Sequence, residues 1–332
     1  MVILLKKFMN RFTYTQKKLN GPIFSIITPF NDREKIDYLA LKNYLKYLYS
    51  NGARNFYVMV YNTRLSLLTE KEIKKINVFC IKQVKKLNKN NIIICAEPYH
   101  CSTEQTIKYV NYFKKNGADI VSLIFGEKFY ADEQLYSHFR KIHNKTKCLL
   151  LLHQQILENG ISSNPPFVYY SLNVLEKISK LPRFIAMKED AKNQTYTKMI
   201  CKKISNQMTI ITSGGGKRQW LKAAKHGCTS WLSGVSNLNP KISIDFYNYY
   251  KSKNIKKMNM IIKNIEDPFF KIKDKYGWHL TIKAFLELNK NFKRYERSPL
   301  KEINKDEMLK CKKVFEKIKK QIEIKKLAKY LN

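Results

Sequence analysis

Lys188 is the residue whose type and setting point most directly to covalent chemistry. It ends the run Phe184-Ile-Ala-Met-Lys188, an otherwise apolar, strand-like segment that leaves an amine at its end. Desolvation disfavours an ammonium, so an amine held in such surroundings is expected to have a lowered pKa and to act as a nucleophile. A free amine condenses with a ketone to give an iminium, an electron sink for making or breaking the neighbouring carbon–carbon bond. A structural ion pair with Glu189 or Glu97 accounts for the same lysine equally well. Other usable groups stand at the ends of other strand-like runs: Glu97, Tyr99 and His100, then His153, the loop Ser213-Gly-Gly-Gly216, and Ser233. Gly214 and Gly215 allow close backbone approach to a ligand and can aim amides at it, but the same loop serves as a plain tight turn. Lys217 and Arg218 beside it either attract an anion or are surface charges, and Trp220 and Trp231 read as core.

The elements that must position these groups follow a regular order. Strand-like runs occur at Ile23–Thr28, Phe56–Val60, Ile92–Ala96, Ile120–Phe125, Cys148–His153, Phe184–Lys188, Met208–Ser213 and Thr229–Ser233, each followed by a helical pattern. Thr69-Glu-Lys-Glu72 and Ser102-Thr-Glu-Gln105 read as capping boxes that satisfy the free amides of a first helical turn. Asn51-Gly52-Ala53, Asn116-Gly117-Ala118 and His226-Gly227-Cys228 each place a glycine just past a helix and shortly before a strand, where a left-handed residue ends the helix. Strands that are apolar throughout, with helices between them, imply a parallel sheet buried on both faces. Eight such units predict an α/β protein of the (β/α)8 TIM-barrel class, with the reacting groups at the C-terminal strand ends. An open doubly wound sheet would carry a glycine fingerprint after its first strand, and Thr28-Pro-Phe-Asn31 has none. The expected organisation is a basic N-terminal extension over 1–20 with no clear pattern, the barrel over 21–251, and a C-terminal helical region over 252–332, with helices near 253–273, 279–290 and 303–327.

Composition narrows the function classes. With 44% apolar and 27% charged residues, the 332-residue chain falls in the globular range. No apolar run approaches the roughly 18 residues that span a bilayer, and Met1-Val-Ile-Leu-Leu5 stops at Lys6, too short for a signal segment. A cytoplasmic protein without membrane attachment is expected. The net charge of +37 invites a nucleic-acid reading. Against it, 54 of the 63 basic residues are Lys and only 9 are Arg, whereas phosphate recognition favours Arg forks. Lys, Asn and Ile, all abundant here, share A/T-rich codons, so codon bias explains the composition without a nucleic-acid partner. Seven cysteines without a CxxC pair argue against a disulfide framework or a structural zinc site; Cys95, Cys148 and Cys228 lie in strand-like runs and read as buried apolar residues.

The ordered set Gly21-Pro-Ile-Phe-Ser-Ile-Ile-Thr28-Pro-Phe, Asn51-Gly-Ala, Leu68-Thr-Glu-Lys-Glu72, Asn116-Gly-Ala-Asp119, Leu135-Tyr-Ser-His-Phe139, Ile185-Ala-Met-Lys-Glu189, Ser213-Gly-Gly-Gly216, Ile282-Lys-Ala and Arg297-Ser-Pro-Leu300 resembles the dihydrodipicolinate synthase / N-acetylneuraminate lyase superfamily. The resemblance spans roughly residues 21–320. It implies a (β/α)8 barrel with a C-terminal helical extension, a homo-oligomer (dimer or tetramer), and a Schiff-base lysine on strand six that matches Lys188. An enzyme of this kind requires no metal or nucleotide cofactor beyond the covalent imine, since the iminium supplies the electrophile and the six histidines show no HxxxH or similar ligand spacing.

The chain also departs from the family pattern. Where the family has a Gly-Thr-Thr-Gly-Glu loop that holds the substrate carboxylate and supplies a relay hydroxyl, this chain reads Val60-Tyr61-Asn62-Thr63-Arg64. Its strand-five tyrosine is matched by His153. Its Tyr-Tyr pair after strand four is matched by Gly126-Glu127 unless Phe129 and Tyr130 shift into place, and Glu158 stands near the site of its usual arginine. Tyr61 can supply the missing hydroxyl, His153 has an intrinsic pKa suited to proton transfer, and Arg64 can grip a carboxylate in bidentate fashion; core packing, a satisfied core histidine and a solvent-facing arginine are the plain alternatives. Lys188, His153 and Tyr61 are thus the candidate catalytic residues. Asn62, Thr63, Arg64, Glu97, Gly214, Gly215 and Ser233 are the candidate substrate-binding ones. The expected function is a lyase, aldolase or dehydratase acting on a 2-oxo acid such as pyruvate or a 2-keto-3-deoxy sugar acid. The alternative is a barrel that has lost the reaction and serves as a ligand sensor or interaction subunit.

Overall fold

The computed structural model describes residues 13–58, 65–98, 101–124, 131–155, 170–191 and 193–328. Eight strands close into a parallel barrel in chain order: β1 (Gly21–Ser25), β2 (Asn55–Tyr57), β3 (Ile92–Ala96), β4 (Ile120–Ile124), β5 (Leu149–Gln155), β6 (Phe184–Asp190), β7 (Thr209–Thr212) and β8 (Ser230–Leu232). A helix follows each: α1 (Tyr38–Ser50), α2 (Glu70–Leu87), α3 (Thr103–Lys115), α4 (Asp132–Lys145), α5 (Leu172–Ser179), α6 (Gln194–Ile204), α7 (Gly216–Ala224) and α8 (Lys241–Lys251). The fold is the (β/α)8 barrel that the alternating pattern implies. All eight expected strands form. Two of them, β5 and β6, run two residues beyond the apolar pattern, because parallel pairing continues through Gln154↔Glu189 and Gln155↔Asp190. Polar side chains hid a backbone ladder that is indifferent to them.

Local chemistry sets the boundaries. Both capping boxes are present: Thr69 with Glu72 opens α2, and Ser102 with Gln105 opens α3. The three helix-ending glycines, Gly52, Gly117 and Gly227, have φ of 99°, 99° and 102°, a region that side-chain-bearing residues avoid. Amphipathic helices turn apolar stripes inward, for example Ile73, Ile76, Cys80, Ile81 and Val84 of α2.

The end of the N-terminal extension, for which the sequence leaves open mobility or packing on the barrel's outside, has a definite structure over residues 13–20. Residues 13–18 are helical, and Leu19 is fully buried. The Asn55 side-chain amide donates to the Lys18 carbonyl at 2.7 Å, the Ser230 hydroxyl donates to the Leu19 carbonyl, and Gly21 N–H donates to the Thr229 carbonyl at 2.8 Å. Asn55 and Ser230 begin β2 and β8, so this segment is stitched across the N-terminal end of the barrel.

The chain divides into two compact units. One holds β2–β8, the start of β1 through Ile23, and helices α2–α7. The other holds the described residues of Phe24–Arg54 and the chain from Ser233, and thus α1 and α8 together with the helices that follow. These are α9 (Ile255–Ile261), a π-helical turn over Ile262–Glu266, α10 (Asp267–Tyr276), α11 (Trp278–Leu288) and α12 (Lys305–Ala328). Within this second unit Phe269 meets Trp278 and Phe285 edge-on, with centroids 5.1 and 5.4 Å apart, and Phe285 meets Phe315 at 5.6 Å. The buried Lys283 pairs with Glu296 at 3.3 Å and lies 4.5 Å from the Phe30 ring. Most charged residues of the described part of α12 face solvent. No helix among the described residues is long and apolar enough to cross a membrane.

Trp220 of α7 and Trp231 of β8 are both buried, their ring centroids 4.3 Å apart, which seats α7 on the barrel wall below the glycine loop. Trp220→Ala removes this contact and leaves a cavity. It is expected to lower unfolding free energy by about 3–5 kcal/mol, read as a lower urea midpoint.

Candidate active site

The register between β5 and β6 builds the site. His153 pairs with Lys188, and in a parallel ladder paired residues point to the same face. Their outward neighbours identify that face. Gln154 turns to Tyr196 of α6, whose hydroxyl is 2.9 Å from its Oε1. Glu189 accepts from the Thr197 hydroxyl of the same helix at 2.7 Å. His153 and Lys188 therefore project into the barrel.

There Lys188 Nζ lies 2.7 Å from His153 Nε2 and 3.0 Å from Asp190 Oδ2. Lys188 and His153 are each 1% exposed. Asp190, two residues further along the same strand and hence on the same face, is the more open flank, with 15% of its side chain exposed. The ion pair considered for Lys188 is thus made with Asp190. Glu189 and Glu97, the partners expected from the sequence, are engaged elsewhere.

Burial, and secondarily the positive charge of Lys188, hold the His153 imidazole well below its ordinary pKa. His153 is therefore neutral at physiological pH. The other ring nitrogen, Nδ1, is buried with no hydrogen-bond partner among the described residues. A neutral, buried imidazole against a primary amine can accept and return protons without first discharging a proton of its own.

The other sequence candidates separate. Glu97 follows the inward Ala96 by one residue and so faces the helices: it accepts from the Thr106 hydroxyl at 2.5 Å and the Ile124 N–H at 2.9 Å. Both oxygens are committed, which corrects the expectation that it meets a substrate; its role is to tie β3 to α3 and β4. The Gly215 N–H donates to the Gln219 side-chain oxygen at 2.7 Å, so one of the two loop amides expected to face a ligand is already paired, while Gly214 is exposed. Lys217 is fully buried in the first turn of α7, which removes it from the surface charges, whereas Arg218 is exposed. In the second unit the Ser233 hydroxyl donates to Asn237 Oδ1 at 3.0 Å, and the Asn237 side-chain amide donates to the Ser25 carbonyl at 2.9 Å. Tyr61, Asn62, Thr63, Arg64, Tyr99, His100, residues 126–130 and Glu158 lie outside the described residues.

Sequence reasoning missed two inward polar groups. Asp190 could have been found from strand parity, as the i+2 neighbour of Lys188. Tyr57, fully buried, donates to Ser122 Oγ at 2.5 Å inside the barrel; no motif marks it. Among the described residues no cluster of three or more His, Cys, Asp or Glu is arranged to hold a metal ion, and all seven cysteines are free.

A closed parallel barrel with a buried lysine on its sixth strand is the arrangement of the Schiff-base aldolases. Within that class the chain belongs to the dihydrodipicolinate synthetase family, whose profile matches residues 18–318. It is 26% identical over 242 residues to the 4-hydroxy-tetrahydrodipicolinate synthase of Ehrlichia canis, covering 72% of this chain and 77% of that one. It is 25% identical over 290 residues to the enzyme of the same name from Karelsulcia muelleri, covering 86% and 92%. Among solved structures, the 4-hydroxy-tetrahydrodipicolinate synthase of Methylacidiphilum fumariolicum SolV superposes with a TM-score of 0.78 at 18% identity, over 92% of this chain and 97% of that one. The N-acetylneuraminate lyase of Fusobacterium nucleatum does so with 0.78 at 16%, over 90% and 99%. The protein is a lyase of the Schiff-base aldolase type. Enzymes of this family react through a lysine imine without an external cofactor.

Burial pushes the Glu97 carboxyl up to about 8, against the lowering effect of its bonds from Thr106 and Ile124. Its folded value lies above the unfolded one, so the stability it contributes is complete below about pH 4.5 and is lost as pH rises toward 8. Glu97→Gln cannot ionise and keeps the shape. It is expected to melt near the wild-type temperature at pH 5 and to be more stable at pH 8.5 by roughly 2 kcal/mol or more, measured by thermal melts across that range.

Proposed function

We propose that Lys188 forms an imine with a 2-oxo acid, pyruvate or a 2-keto-3-deoxy sugar acid, and that the protein carries out aldol cleavage, aldol condensation or dehydration on that imine. The observation that carries this reading is the buried Lys188 amine, 2.7 Å from an imidazole that its surroundings keep neutral.

The amine adds to the ketone carbon and water leaves, giving an iminium. In the condensation direction His153 removes a proton from the carbon beside the iminium carbon. The resulting enamine adds to an aldehyde carbon, and a protonated group returns a proton to the new alkoxide. Hydrolysis of the imine releases product and regenerates Lys188. Cleavage is the same sequence reversed, with His153 reprotonating the enamine carbon. The sequence-based roles of Tyr61 as relay hydroxyl and of Asn62, Thr63 and Arg64 in holding the substrate carboxylate belong to this proposal, as does Gly214 as a loop contact. Synthesis of dihydrodipicolinate itself is disfavoured, because the family's carboxylate loop and strand-five tyrosine are replaced. A dimer or tetramer in the cytoplasm completes the proposal. One structural relative is described as a monomeric dihydrodipicolinate synthase variant, so sedimentation velocity is the direct measure of assembly.

Borohydride reduction in the presence of pyruvate, followed by peptide mass spectrometry, is expected to show a reduced adduct on Lys188 and none in Lys188→Ala. No adduct across a panel of 2-oxo acids would favour the non-catalytic alternative. His153→Gln is expected to retain the adduct while turnover falls by roughly a hundredfold or more, as measured by steady-state kinetics on whichever 2-oxo acid gives the adduct.

A further inference from the structure

We infer that Asp190 is a further catalytic residue, the resident counter-ion of the Schiff-base nitrogen and its proton carrier during imine formation. This rests on the imine reading above. Neither the lysine motif nor the strand-five position points to Asp190; strand geometry does. It stands two residues beyond Lys188 on β6, on the same face, with Oδ2 3.0 Å from Nζ. Its other oxygen, Oδ1, is buried without a hydrogen-bond partner among the described residues. Among the described residues no second cation is paired with it.

The charge balance of the reaction explains why an anion belongs at this spot. The resting pair is an ammonium and a carboxylate; the product pair is an iminium, also a single positive charge, and the same carboxylate. An anion fixed beside Nζ therefore stabilises both ends of imine formation and need not move as the reaction proceeds. Between those ends the protons need a carrier. Asp190 takes one proton from the ammonium, freeing the amine to form the N–C bond, and gives it to the carbonyl oxygen. It then takes a second proton from the carbinolamine nitrogen and passes it to the hydroxyl, so that the C–O bond breaks and water leaves. Three N–H bonds become one, the two lost protons depart in the water, and Asp190 ends as the carboxylate it began as. No oxidant, metal or external acid enters the balance.

The two neighbours of Nζ thus divide the labour. Asp190, on the more exposed flank, serves the nitrogen and oxygen protons. His153, neutral and more deeply buried, is left for the carbon proton. A merely structural ion pair would hold Lys188 in place and leave the rate of imine formation insensitive to the carboxylate's identity.

The test is rapid mixing of the full-length protein with pyruvate or the best-reacting 2-oxo acid, borohydride quenching at timed intervals, and quantification of the Lys188 adduct by mass spectrometry. Wild type, Lys188→Ala, Asp190→Asn, Asp190→Ser and Asp190→Glu are compared, each normalised to folded protein from its melting transition. Asp190→Asn and Asp190→Ser are expected to form the adduct about a hundredfold more slowly or worse, and Asp190→Glu to recover most of the rate. Adduct formation by Asp190→Asn or Asp190→Ser within threefold of wild type would overturn this inference alone. Absence of an adduct in the wild type with every 2-oxo acid would overturn it together with the reading on which it rests.

Discussion

An ammonium with 1% exposure cannot stand alone in an apolar barrel, since stripping its water costs several kcal/mol unless partners replace that water. The β5–β6 ladder meets this constraint. Pairing His153 with Lys188 brings an imidazole nitrogen to one side of Nζ, and strand parity brings the Asp190 carboxylate to another. The chemistry proposed for the protein follows from that alignment. A slip of one residue in the register would turn Lys188 toward α6 and put Glu189 in the barrel. The outward bonds of Glu189 to Thr197 and of Gln154 to Tyr196 act as pins against such a slip.

The two histidine-bearing and carboxylate-bearing sides have different electrostatic fates. A neutral base is stable in a dry place, which is why burial and a neighbouring cation depress His153 and keep it unprotonated. Glu97 shows the converse outside the barrel wall. There the same desolvation acts on an acid with no cation beside it among the described residues, and the carboxyl is pushed toward its protonated form. Both groups sit at strand ends of similar appearance in the sequence, yet one faces the barrel interior and the other faces a helix. The difference is one residue of parity.

That contrast marks how far the sequence is legible. Hydrophobic runs, two capping boxes and three helix-ending glycines were sufficient to specify eight strands, their helices and the closed barrel, because each is a local signal. The lysine was conspicuous because an amine ending an apolar strand is physically anomalous. The partner of that lysine was not legible from proximity: Glu189 is adjacent in sequence but points away, and Glu97 is turned to Thr106. Strand parity would have selected Asp190, but the polar ends of β5 and β6 disguised their continuation as strand. The Tyr57–Ser122 bond joins residues 65 apart, and no local pattern announces it. The ordered start at residues 13–19 was also hidden, since its bonds go to the distant Asn55 and Ser230.

The stitch at the barrel's N-terminal end has a temporal side. Leu19 is joined to Ser230 across 211 positions of chain, and β1 pairs with β8 through Gly21↔Ser230 and its neighbours. A ribosome must therefore release nearly the whole barrel sequence before the first strand finds its second neighbour. Until then β1 carries an open edge, and helices that are already capped have no finished wall to rest on. Contacts so remote along the chain form late and slowly, so the nascent protein passes through its most aggregation-prone interval just before the eighth strand emerges.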